Sequence, residues 1–335
     1  MKRRYFLQGV GTASAALPVL GCNDVLMSSA LDKITPKREI AKRTLGKTGI
    51  PVSILGFGSH MSSSTLANAT LRDKTIKAGY EGGINVFDVY DHSGYNQFKP
   101  MGQSLKSFRK DAVVSLCCVQ SPTGIQKEID GALTSFLTDY IDLYRLYTVD
   151  DTRVNYLDNN KKAGKIRAIG AVSHDANEAM NYLDRYGDTL DFLMLVFNFY
   201  HNKGVYNDTG YPANDYSALI PRCKNMNIGI LGIKPLGNDA MVAFARSKNY
   251  FNDPNANIVQ AMLRHAYQNE DVHTNFVSMN NMAEVVTNLE SVYTPQISDY
   301  EQTMLDNLTV QVGAAKGAYL PDHYKWMENW RVKTV

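Results

Sequence analysis

Residues 84–106 read INVFDVYDHSGYNQFKPMGQSLK. A short apolar run, Ile84–Phe87, ends on an acid, Asp88, and a polar aromatic cluster with Tyr90, His92, Ser93 and Tyr95 follows. Met101-Gly102 then opens a helix. Short runs rich in β-branched and aromatic residues, bounded by glycine and polar residues, read as buried strands. A carboxylate closing such a strand, next to tyrosines and a histidine, reads as a site rather than as core.

The same unit recurs along the chain. Apolar strands are expected near Ile54–Phe57, Ile84–Asp88, Val113–Cys118, Ile141–Leu146, Ile166–Val172, Phe192–Phe197, Ile228–Ile233 and Phe276–Ser278. Helix-length segments such as Ile125–Leu137, Asn177–Arg185 and Met282–Ser291 lie between them. Eight strand–helix units in about 250 residues is the period of a (β/α)8 barrel. The structural rival, a doubly wound open sheet, is disfavoured because no G-x-G-x-x-G follows the first strand. RTLGKTGIPVS (43–53) reads as a hairpin turning at Thr48-Gly49. The expected fold class is therefore α/β, a (β/α)8 TIM barrel with an N-terminal β-hairpin. The barrel is expected over 42–292, and residues 293–335 form a C-terminal helix and tail over it. In such barrels the site lies at the C-terminal ends of the strands.

Residues 1–21 read as a signal peptide. Lys2-Arg3-Arg4-Tyr5-Phe6-Leu7-Gln8-Gly9 resembles a twin-arginine export signal, with an ordinary secretory signal as the alternative. Val19-Leu20-Gly21-Cys22 resembles a lipoprotein cleavage box, so Cys22 is a candidate for lipidation, against simple cleavage nearby. Residues 22–41 then form a tether. The expected location is the periplasm or cell envelope, with membrane contact only through a lipid on Cys22.

The chain has 335 residues, 44% hydrophobic and 20% charged, which suffices for one large core. Its net charge of +2 and the absence of a long basic run argue against a nucleic-acid partner. No stretch of about 20 apolar residues is present to span a membrane. Four cysteines in this spacing form neither a disulfide framework nor a zinc or iron–sulfur set, so no metal is expected. Cys117 and Cys118, adjacent on a strand, point to opposite faces, and Cys223 falls on an expected surface helix.

Several blocks together resemble the aldo-keto reductases. These are RTLGKTGIPVSILGFGS (43–59), the stretch from Ile84 to Lys106, YIDLYRLY (140–147), GKIRAIGAVSHD (164–175) and IGILGIKPLG (228–237). The resemblance implies hydride transfer between NAD(P) and a small carbonyl or sugar-type substrate. It also implies a tyrosine acid, a lysine that lowers its pKa, an aspartate that holds the lysine and a histidine on the substrate oxygen.

By that resemblance the aspartate is Asp88. The acid is Tyr95 or His92, with Tyr90 also in the loop. The lysine position falls on Cys118 and the histidine position on Tyr147, so the relay loses its cation and the imidazole becomes a phenol. For the cofactor, the resemblance points to Ser173 and His174 for the nicotinamide amide, Met194 where a glutamine is usual, and Phe197 with Asn198 for stacking. The Pro235-Leu236-Gly237-Asn238 turn is a pyrophosphate candidate, and Asn280 and Asn288 fall at the adenosine end. Without a cation beside Asn280, NADP is disfavoured relative to NAD.

Two functions follow from these residues. The first is an exported oxidoreductase of aldo-keto reductase type using NAD(P). The second is a non-redox, lipid-anchored barrel that binds or rearranges a small polyhydroxylated ligand. For the second, Tyr90, His92, Tyr95, Tyr147, His174, Tyr200 and His201 line the mouth.

Overall fold

The computed structural model describes residues 39–92, 95–200, 216–237, 239–248 and 257–315, with backbone alone at 91, 92 and 95. The signal, the tether with Cys22, His201, Asn238 and the tail carrying Trp326 and Trp330 lie outside these residues.

The hairpin is β1 (Lys42–Thr44) with β2 (Pro51–Ser53), antiparallel, Arg43 opposite Val52. Its turn closes on Gly49 at φ 71°, a left-handed backbone that glycine adopts without a Cβ penalty. Eight parallel strands follow: β3 (Leu55–Phe57), β4 (Val86–His92), β6 (Val113–Cys118), β7 (Ile141–Leu146), β8 (Ile166–Ser173), β9 (Phe192–Val196), β10 (Gly229–Ile233) and β11 (Thr274–Val277). Each pairs with the next, β11 pairs with β3, and Phe57 of β3 meets Phe87 of β4, which closes the barrel. The short β5 (Tyr95–Asn96) folds back antiparallel on the end of β4, His92 opposite Tyr95. Among the described residues, no helix is long and apolar enough to cross a membrane.

The helices are α1 (Ser63–Ala67), α2 (Ala69–Glu81), α3 (Phe98–Leu105), α4 (Ile125–Phe136), α5 (Asp151–Lys162), α6 (Ala176–Tyr186), α7 (Leu219–Asn225), α8 (Asp239–Ser247), α9 (Ile258–Tyr267), α10 (Met282–Tyr293) and α11 (Asp299–Ala315). They cover the outside of the barrel, so most strands are buried on both faces and read as continuous apolar runs. The alternation still sorts each strand. Phe87 and Val89 face the outer layer, whereas Val86 joins an interior cluster with Val113, Leu143, Ala168, Phe192 and Leu231. Leu45, Ile50 and Val52 of the hairpin join that cluster and close the N-terminal end. Helix α11 belongs to the outer layer against α9, tied by Arg264 and Glu301.

Three expectations change. The helix after the site loop begins at Phe98, three residues before Met101, with Pro100 in its first turn, where a missing N–H costs nothing. Strand β4 runs on to His92, so Asp88 lies within the strand and faces the interior rather than closing it. Cys223 is on a helix but on its buried face, and burial pushes its thiol up to about 12.

Helices α3 and α4 touch at Gly102, where a Cβ would lie 1.9 Å from the Ser135 carbonyl oxygen. Backbone cannot yield as a flexible side chain does. Gly102→Ala is therefore expected to lower stability by about 1–3 kcal/mol in denaturant unfolding, the range for overpacking.

Candidate active site

The interior faces of β4, β6 and β7 carry Asp88, Ser115 and Arg145. Asp88 lies opposite Ser115 in the register, and Ser115 opposite Leu143. Arg145 is 0% and Asp88 3% exposed. The guanidinium grips the carboxylate with both ends, Nη1 to Oδ1 at 2.6 Å and Nη2 to Oδ2 at 3.1 Å. Nη1 also donates to Ser115 Oγ at 2.8 Å. The strand partners of Arg145 are Cys117 on β6 and, on β8, Gly170, whose absent side chain leaves room for the ring of Phe192.

Burial alone would lower the pKa of Arg145. Asp88 more than restores it, so its pKa stands above the ordinary arginine value. A charged pair in a barrel interior contributes little to stability for its desolvation cost. Its location under the mouth points to a use in chemistry.

Above the pair lies Tyr90. Its ring centroid is 4.9 Å from Cζ of Arg145, a cation–π distance. Burial raises the Tyr90 pKa well above the phenol range. Cys117 and Asp88 push the same way, and Arg145 pulls it back. Gln97 braces the backbone of Tyr90: its Oε1 accepts from Tyr90 N at 2.9 Å and its own N–H donates to the Tyr90 carbonyl at 3.2 Å. Gln97 Nε2 donates to the Ser59 carbonyl, which links the ends of β3 and β4. The ring of His60, on the loop after β3, meets Tyr90 edge-on at 5.7 Å.

A cation does lie against Asp88, but it comes from β7 as Arg145 and not from the position on β6 read as the lysine. Cys118, the position read as the lysine, faces outward into the outer core with Ile125 and Tyr144. Burial, then Glu128, pushes its thiol up to about 12. Strand alternation puts Cys117, not Cys118, on the interior face, where its thiol is pushed up to about 11 by burial against the pull of Arg145. Tyr147 does face the interior, half-buried at the end of β7, its pKa raised by burial and then by Cys117 and Glu178. The backbones of His92 and Tyr95 pair across the β4–β5 turn, and their side chains lie outside the described residues.

The candidate cofactor groups turn mostly toward the protein itself. Ser173 Oγ lies 2.5 Å from Oε2 of Glu178, in the first turn of α6, and 2.8 Å from the Asp175 carbonyl. His174 is 9% exposed. Met194 lies in the interior cluster. Phe197 is 2% exposed, within the outer core. Asn198 Nδ2 donates to the Lys234 carbonyl at 3.1 Å and its Oδ1 accepts from Tyr200 N at 3.2 Å. Asn280 accepts from Ser62 N at 2.6 Å, which ties the loop after β3 to the loop after β11. Asn288 is buried on α10.

Pro235, Leu236 and Gly237 form a turn in which Gly237, at φ 70°, donates to the Lys234 carbonyl at 2.8 Å before α8 begins. Lys234 itself holds a left-handed φ of 56°, and burial pushes its ammonium down to about 8. These groups do not fit a nicotinamide carboxamide as they stand. The Ser173 hydroxyl is committed to Glu178, the thioether of Met194 offers no useful hydrogen bond, and the Phe197 ring is covered.

Arg145, His60, Glu178 and Lys234 were not singled out from the sequence. Arg145 lies two residues before Tyr147, so period-two alternation from that position finds it. His60 stands just past the first apolar run and Lys234 just past the seventh. Glu178 carries only the weaker signal of an acid three residues after the helix cap Asp175.

Residues 54–309 match the model of the aldo/keto reductase family. The chain belongs to the aldo/keto reductase family. Among curated proteins it is similar to an L-galactose dehydrogenase from Arabidopsis thaliana, 23% identical over 298 residues, covering 76% of this chain and 88% of that protein. It is also similar to an NADH-specific methylglyoxal reductase from Escherichia coli, 28% identical over 233 residues, covering 58% of this chain and 67% of that protein. Among solved structures, an aldo-keto reductase from Bacillus halodurans superposes with a TM-score of 0.62 at 20% identity, covering 81% of this chain and 96% of that one. That likeness shows the shared aldo-keto reductase barrel.

Proposed function

We propose that the chain is an exported oxidoreductase of aldo-keto reductase type, acting on a small carbonyl or sugar-type substrate with NAD(P) as hydride carrier. The observation that carries this reading is the buried Asp88–Arg145 pair inside the barrel, beneath Tyr90. The relatives named dehydrogenase and reductase point the same way. Export through a twin-arginine signal and a lipid on Cys22 belong to this proposal. Export of the folded protein would let it leave the cytoplasm with its cofactor already bound.

In this reading Tyr90 supplies the proton to the substrate oxygen, and Tyr147 and His60 face the substrate from either side. The nicotinamide, when bound, supplies the hydride. Its carboxamide needs Ser173 to release Glu178 and the Phe197 ring to be uncovered, so affinity is expected to be low.

Titrating the full-length protein with NADH and with NADPH, followed by nicotinamide fluorescence, tests the reading. Saturable binding of either is expected, NADH being favoured because the sequence carries no Lys or Arg next to Asn280. No binding up to millimolar concentration overturns it. A non-redox barrel that binds or rearranges a small polyhydroxylated ligand then takes its place. The commitment of Ser173 to Glu178 and the covered Phe197 ring favour that second reading.

A further inference from the structure

We propose that Arg145 is the positioning cation of this site: held by Asp88 and Ser115, it stabilises the negative charge that Tyr90 acquires as its proton leaves. The inference rests on the reading above that Tyr90 is the acid, and it assigns to β7 a role that the sequence placed on β6.

A phenol closed off from water is a weak acid because its anion has no solvent around it. Tyr90 is partly buried, desolvation is the first cause of its raised pKa, and one cation lies against its ring, the guanidinium 4.9 Å from the centroid. Cys117 and Asp88 oppose the ionisation of Tyr90, Arg145 favours it, and the His60 ring meets it edge-on. A fixed charge aimed at where charge develops acts more strongly in a buried site than in water and needs no reorganisation.

Arg145 meets the condition of fixity. Its two terminal nitrogens make three hydrogen bonds to Asp88 and Ser115, all buried. Such a bidentate fork fixes the plane of the guanidinium, which a lysine ammonium on the same strand would not. Gln97 fixes the other partner by holding the Tyr90 backbone from both its N–H and its carbonyl. The two groups are thus set against one another before any substrate arrives. Arg145 itself is fully buried and does not touch the substrate, so its effect passes through Tyr90.

The test compares Arg145→Met, Arg145→Lys and wild type in the full-length protein. In steady-state carbonyl reduction, Arg145→Met is expected to lower kcat by about 10²-fold, the low end for a disabled general acid, with KM held within about twofold. Arg145→Lys keeps the charge and is expected to recover at least a tenth of wild-type kcat. A second readout is independent of turnover. With ring-labelled tyrosine, the Tyr90 Cζ resonance, assigned by its loss in Tyr90→Phe, is expected to move in Arg145→Met and to stay near its wild-type position in Arg145→Lys.

If wild type reduces no carbonyl, the oxidoreductase reading fails, and the resonance alone decides whether Arg145 acts on Tyr90. A folded Arg145→Met with wild-type kcat, or an unmoved Tyr90 resonance, overturns the proposal. So does an equal loss in Arg145→Lys and Arg145→Met, because that pattern marks a role in packing alone. Should Arg145→Met fail to fold, Arg145→Gln read by the same resonance takes its place, under the same criteria.

Discussion

Asp88→Asn is expected to destabilise the protein by about 3 kcal/mol and to reduce turnover by at least ~10²-fold, the two losses having different origins. The stability loss comes from Arg145. With its carboxylate gone, a guanidinium that is 0% exposed keeps Ser115, a neutral amide and the Tyr90 ring but no counter-charge at Asp88. Removing one partner of a buried ion pair typically costs about 3–5 kcal/mol, and the amide oxygen, still able to accept one hydrogen bond, sets the value at the lower end. The turnover loss comes from geometry, because the guanidinium is free to leave its place under Tyr90. The two origins separate in the double variant Asp88→Leu with Arg145→Met. Removing both charges relieves the desolvation cost, so denaturant unfolding returns toward wild type while turnover stays low. If the double variant is as unstable as Asp88→Asn, the pair is not the source of the stability loss.

Tyr90→Phe is expected to lower kcat by ~10²–10⁴-fold, the usual cost of losing a positioned general acid, and to leave the melting temperature within a few degrees of wild type. The ring, its stacking on Arg145 and the Gln97 brace on the backbone all survive, so only the hydroxyl is lost. Steady-state kinetics beside thermal unfolding checks both halves. A Tyr90→Phe protein that turns over normally while Tyr95→Phe does not returns the acid to the β4–β5 turn.

The barrel was legible because its strands announce themselves. Val113–Cys118 and Ile141–Leu146 are apolar on both faces, as strands under helices must be, and both ends fall where the sequence places them. Met282, at the start of α10, is legible for a related reason: Asn281 before it caps the helix by accepting from Glu284 N.

Asp88, Tyr90 and Tyr147 are named from the sequence and lie on the interior side of the barrel. Arg145, the partner of Asp88, lies one inward-facing position before Tyr147, short of the strand end to which a rule about strand closure points. Cys118 was chosen by counting to a strand end, but the pleat turns that residue outward and gives the interior to Cys117. The commitment of Ser173 to Glu178 is a tertiary contact between a strand end and the following helix, and no local pattern encodes it. His60 follows the first strand by three residues and was within reach of the rule that the site lies past each apolar run.

In the proposed nicotinamide-dependent reduction, the buried Asp88–Arg145 pair supports proton transfer from Tyr90. A single-turnover experiment tests it most directly. Full-length wild type and Tyr90→Phe are mixed with NADH and a panel of small aldehydes and aldoses, and loss of reduced-nicotinamide absorbance is followed. The account predicts oxidation of NADH by wild type with at least one substrate and a slower rate, by ~10²-fold or more, in Tyr90→Phe. Equal rates in the two proteins, or no oxidation by wild type with any member of the panel, would contradict it.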